Sequence, residues 1–107
     1  MGKQAIQRGS NNVFADIGLP NPEEHKTKAD LAIIIRRLIK EQGLTQDEAA
    51  QYMGLKQSDV SNIVRGVLSG FSIDRLLRCI NALHQDVTIV IKPARDAERP
   101  QVGVLYA

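Results

Sequence analysis

The chain has one cysteine in 107 residues, Cys79, which excludes an intramolecular disulfide and any cysteine-built zinc finger. No apolar run approaches the roughly 20 residues of a membrane span, and the first residues lack the hydrophobic centre of a secretion signal. The cytoplasm is the expected location. Charge of one sign is scarce too: 14 Lys+Arg against 12 Asp+Glu leave a formal net charge of +2, and no arm is polybasic. Any nucleic-acid function must therefore rest on local geometry rather than bulk attraction. His25 and His84 lie in different segments with no partner at metal-ligand spacing, and no glycine-rich phosphate loop follows a strand. No metal, cofactor or catalytic apparatus is expected, and an enzyme is the remotest reading. Hydrophobic content of 43% and charged content of 24% suit one soluble domain with a modest core.

Residues 45–66 carry most of what is there. Thr45 is a good N-cap and Glu48, three residues on, completes a capping box, so a helix is expected to start here. Ala49, Ala50 and Met53 give it a narrow apolar face that lets another helix approach closely. Gly54 sits where the chain must leave the helix, a position that commonly needs positive φ. Val60, Ile63 and Val64 form the inward stripe of a second helix, which leaves Gln57, Ser58, Ser61, Asn62 and Arg65 pointing outward. Such side chains hydrogen-bond base edges and phosphates. The pattern is a helix-turn-helix, expected to read DNA.

Around this motif, Asn21-Pro22-Glu23-Glu24 is a helix start, with Asn as cap, Pro in the first turn and Glu at the capping-box position. The helix is expected to reach about Gln42 and stop at Gly43. Its core stripe is Leu31, Ala32, Ile35, Leu38 and Ile39. Ile33 falls on the opposite side, among Lys26, Arg36, Arg37 and Lys40; a lone exposed isoleucine usually has no role, with an interface as the less favoured alternative, and the basic residues around it are most simply a solvated face. After a loop at 67–70, Ser72 caps a helix with Ile73, Leu76, Leu77, Ile80 and Leu83 on one face; Cys79 flanks that face as a small core residue. Val87-Thr88-Ile89-Val90-Ile91-Lys92 is β-branched and stopped by Pro93, and reads as a strand. Val102 to Tyr106 reads either as a second short strand or as a frayed tail.

These residues resemble the Xre-type, lambda-repressor-like helix-turn-helix family over roughly Leu31 to Leu83. The resemblance implies a mainly α, five-helix domain, followed here by a short C-terminal β-strand. The expected division is a flexible N-terminal arm at 1–20, the helix-turn-helix domain at 21–86, a dimerisation strand at 87–93 and a tail at 94–107. A narrower likeness, to the small HigA-type antitoxins, lies in Phe14-Ala15-Asp16-Ile17-Gly18-Leu19-Pro20, Gly43-Leu44-Thr45-Gln46, Leu68-Ser69-Gly70-Phe71-Ser72 and the ending at Ile91-Lys92-Pro93. That resemblance implies repression of a toxin–antitoxin operon and a cognate toxin as partner; an autonomous or phage-like regulator without a toxin is the alternative.

Carried over from the family, the second motif helix lies in the major groove of double-stranded DNA. Gln57, Ser58, Ser61 and Asn62 then fall at base-reading positions, and Gln46 where a phosphate-contacting glutamine lies. Lys56 is a poor N-cap but a plausible phosphate contact. Gln57 and Asn62 are the foremost readers, since an amide binds adenine bidentately; Ser58 and Ser61 also serve as mere backbone clearance. Arg65 either neutralises the helix dipole or reaches phosphate. Ser69 and Gly70 present backbone N–H groups to phosphate. Asp59 is out of place on a DNA surface, unless it turns to its own helix N-terminus or accepts from a cytosine amino group. A purely protein-binding role for the motif is disfavoured by its polar outward face. Phe14, Ile17 and Leu19 either face a partner or fold onto the core. A homodimer joined by the 87–92 strand, reading a palindromic operator, is preferred to a hairpin with Val102–Tyr106, because no Asn-Gly or Asp-Gly turn lies between the two segments.

Overall fold

The computed structural model describes residues 21–107. It has four helices, α1 (Asn21–Glu41), α2 (Gln46–Met53), α3 (Gln57–Arg65) and α4 (Ile73–Ala82). The apolar stripe expected on α1 is buried in full, and Ile33 on the far side is 63% exposed. Ile34, outside that stripe, is buried as well. The reason is tertiary: α1 packs against both α3 and α4, so its buried face is wider than a single seam. Ile35, Leu38, Val60, Ile63, Leu76 and Leu83 are the most completely enclosed large side chains. They come from α1, α3, α4 and the residue after α4, and hold the three helices in one cluster. Each of these side chains contributes roughly 1.5–3 kcal/mol by leaving water.

The helix ends follow local chemistry. The Ser72 hydroxyl accepts from the Arg75 N–H at 3.1 Å and starts α4. Beyond α1, the Leu44 N–H reaches back to the Ile39 carbonyl at 3.0 Å and Gly43 N–H to Lys40 at 3.1 Å, the paired bonds of a Schellman end. Helix α4 ends differently: His84 takes the left-handed conformation at φ 70°. Its ring stands edge-on to Tyr52 with centroids 5.4 Å apart. Cys79 is buried in the core, and this burial pushes its thiol pKa up. The Gln42 side-chain amide donates to the Leu83 carbonyl at 2.7 Å and fastens the end of α1 to the end of α4.

Two expectations are corrected. The fifth helix implied by resemblance is not present among the described residues; between α3 and α4 residues 66–72 form turns and irregular chain rather than a helix. The strand expected at 87–93 is not formed either; this segment bonds to no ladder in the single chain, and Val90 and Ile91 are 73% and 92% exposed. Between the two tail segments the Asp96 carboxylate accepts from the Glu98 N–H at 3.1 Å and its carbonyl from the Arg99 N–H at 3.0 Å, making a turn without any glycine. The chain then returns to the domain through side chains rather than backbone pairing. Val104 and Tyr106 pack on the core, and the Arg37 guanidinium lies 5.1 Å from the Tyr106 ring. The arm at 1–20, with Phe14, Ile17 and Leu19, lies outside the described residues.

Candidate nucleic-acid interface

The motif is set by three local devices. At the start of α2 the Thr45 hydroxyl accepts from the Glu48 N–H at 3.1 Å, and the Glu48 carboxylate accepts from the Thr45 N–H at 2.9 Å. The second bond, strengthened by the carboxylate charge, holds the Glu48 pKa below its ordinary value. At the end of α2, Gly54 turns the chain at φ 66°, and the Leu55 N–H bonds the Ala50 carbonyl at 3.0 Å. A side chain at this φ is disfavoured by its own Cβ, so glycine sets the angle between α2 and α3. Ala49 and Ala50 are buried, and their small size lets α3 pack closely on α2.

Helix α3 buries Val60 and Ile63 and half-buries Val64. Gln57, Ser58 and Arg65 are exposed, as are Lys56 before the helix and Ser69 in the loop after it. Ser61 and Asn62 are half-buried, so their access to a ligand is narrower than their helical position suggests. Across the turn, the Gln57 amide donates to the Gln46 Oε1 at 3.4 Å. At the other end of α3, Arg65 Nη2 donates to Asn62 Oδ1 at 2.7 Å. Four of the expected residues thus form two hydrogen-bonded pairs, Gln57 with Gln46 across the turn and Arg65 with Asn62 within α3, with Lys56 and Ser69 flanking the helix.

Lysine has no acceptor with which to cap a helix, and Lys56 makes no side-chain cap bond. Asp59 supplies the reciprocal half alone: its Oδ2 accepts from the Lys56 N–H at 3.4 Å. Of the two roles open to Asp59, the structure shows the one toward its own helix start. Arg75 on α4 is the residue that sequence reasoning missed. Its Nη2 lies 3.9 Å from the same Asp59 oxygen, and its Nη1 donates to the Gly70 carbonyl at 3.4 Å. No local signal marks it, because both partners belong to other elements.

A shallow groove of about 180 Å³ lies beside this surface, between α1 and the end of α3. Ile33 and Arg36 from one side, and Arg65 and Leu68 from the other, line it. Ile33, exposed as expected, forms one edge of this hollow. Among the described residues no cluster of His, Cys, Asp or Glu could hold a metal ion, and no helix is long and apolar enough to cross a membrane.

Residues 13–92 match the family described as "Helix-turn-helix domain". No curated protein matches the chain. Among solved structures, one described as "Putative XRE Family Transcriptional Regulator" is similar at 40% sequence identity and a TM-score of 0.76, over 82% of this chain and all of that one. A match of this extent at this identity, on a fold whose turn and outward helix face have the required chemistry, places the chain in a family. It belongs to the XRE-type helix-turn-helix family of transcriptional regulators.

Proposed function

We propose that this protein is a sequence-specific repressor that reads its operator with Gln57 and Asn62 of α3. The observation that carries this reading is the polar end of the motif: exposed Gln57, bonded to Gln46 from the preceding helix, beside exposed Lys56. A glutamine held by a neighbouring amide presents a defined donor and acceptor to adenine, while Lys56 supplies charge for phosphate. Ser58 and Ser61 line the same face, and Gln46, Arg65 and Ser69 flank it for phosphate. Bound across a promoter, such a protein represses by occlusion. The test is enrichment of duplexes from a random pool, followed by footprinting. A single enriched motif protected at the positions facing α3 supports the reading, and retention without any preferred sequence refutes it.

The active species in this reading is a homodimer on a palindromic operator. Val87, Ile89, Val90, Ile91 and Leu105 are large apolar side chains left exposed in one chain. A second copy covering them would make a two-fold dimer, and dimers of this motif read two half-sites about one DNA turn apart. The reading further makes the protein the antitoxin of a toxin–antitoxin operon. Its support is the resemblance in residues 14–20, 43–46 and 68–72, the first of which falls within the family match beginning at residue 13. Co-purification with the product of an adjacent small reading frame tests this. If no neighbouring product binds, the stand-alone regulator is the better description.

A further inference from the structure

We propose that Arg75 is a positioning residue that ties the start of α3 to the 69–71 loop, so that the two are presented to DNA as one rigid unit. The inference rests on the DNA-reading function proposed above. Three elements meet at this guanidinium. Its Nη2 lies 3.9 Å from Asp59 Oδ2, the oxygen that also accepts from the Lys56 N–H at the start of α3. Its Nη1 donates to the Gly70 carbonyl at 3.4 Å. Its Cζ sits 4.9 Å from the ring centroid of Phe71, which is buried and anchors the loop in the core. The planar fork of arginine satisfies two acceptors and a ring face together, which a lysine ammonium does not.

Stability is a poor account of this arrangement. The Arg75 and Asp59 side chains are 42% and 31% exposed, and a pair that open is worth little in water. Its geometric consequence is larger. Lys56 and Gln57 on one side, and the Ser69 and Gly70 backbone on the other, are separate segments that share no direct hydrogen bond among the described residues. Arg75 sets their separation, and hence whether base and phosphate contacts are made together.

The test uses the full chain and the duplex it enriches from a random pool, with affinity read across a salt series. Arg75→Gln and Asp59→Asn are each expected to weaken binding about tenfold, and the double variant no more than either alone. Each is expected to lower the salt slope by about one, as the Lys56 ammonium, on the segment that Asp59 holds, loses its phosphate. Arg75→Lys, which keeps the charge but not the fork, should fall between. Removing a negative charge by itself favours DNA binding, so weaker binding by Asp59→Asn reads position rather than charge. Unchanged or tighter binding by Asp59→Asn overturns the proposal, because the Asp59–Arg75 link would then not govern how the two segments meet DNA. A loss of affinity that only tracks a lowered melting temperature, with the salt slope unchanged, also overturns it. A wild-type chain that enriches no duplex refutes the DNA reading itself.

Discussion

The side-chain amide of Gln57 donates to Gln46 Oε1 at 3.4 Å, across the turn between the two motif helices. Each glutamine is the first residue of its helix. The contact therefore couples a candidate base reader to a candidate phosphate contact, and the two should not behave independently.

Gln57→Ala is expected to cost about 1–3 kcal/mol on an operator duplex and little on random DNA, because it removes base reading. Lys56→Ala should weaken both and lower the salt slope by about one. A double-mutant cycle of Gln46→Ala and Gln57→Ala measures their coupling, expected at about 0.5 kcal/mol or more. Equal losses on both duplexes for Gln57→Ala would show that it does not read sequence.

His84 holds a left-handed backbone that glycine adopts without strain. His84→Gly should raise the melting temperature through a gain of about 0.5–1 kcal/mol, less whatever the Tyr52 edge contact contributes. Gly54→Ala places a Cβ at φ 66° and should lower stability by about 1 kcal/mol. Thermal unfolding followed by circular dichroism distinguishes the signs.

Thr45→Ala should cost about 1 kcal/mol as a lost cap. The reciprocal bond makes stability depend on pH. Glu48 has a folded pKa below its ordinary 4.5, so its contribution is present above that value and disappears as pH falls through the lower folded pKa. Glu48→Gln should flatten the melting temperature against pH in that acidic window. An unchanged profile would mean that the carboxylate bond is not populated in solution.

Ile91→Lys should leave the melting behaviour of a monomer intact, since Ile91 is 92% exposed in one chain. If a second copy covers it, sedimentation of the variant should show monomers where the parent shows dimers, with operator affinity lost in step. A parent that sediments as a monomer at micromolar concentration contradicts the dimer.

Much of the architecture was legible because it is written within four residues of itself. The Thr45–Glu48 box, the αL turn at Gly54, the stop at Gly43, the Ser72 cap and the 3.6-residue stripes on α1 and α4 are all short-range signals, and each reappears in the structure. The exposed face of α3 follows from the burial of Val60 and Ile63 on the same helix. Elsewhere, only the tertiary structure decided. Ile34 is buried because α1 has two helical neighbours, and Asp59 is held between its own helix start and an arginine from α4. β-branched composition at 87–92 expresses a preference that no ladder fulfils within one chain, while Val104 and Tyr106 return to the core. Caps and turns are decided by neighbours along the backbone; which surfaces meet is decided by contacts between residues far apart in the chain, such as Gln42 with Leu83 and Arg37 with Tyr106.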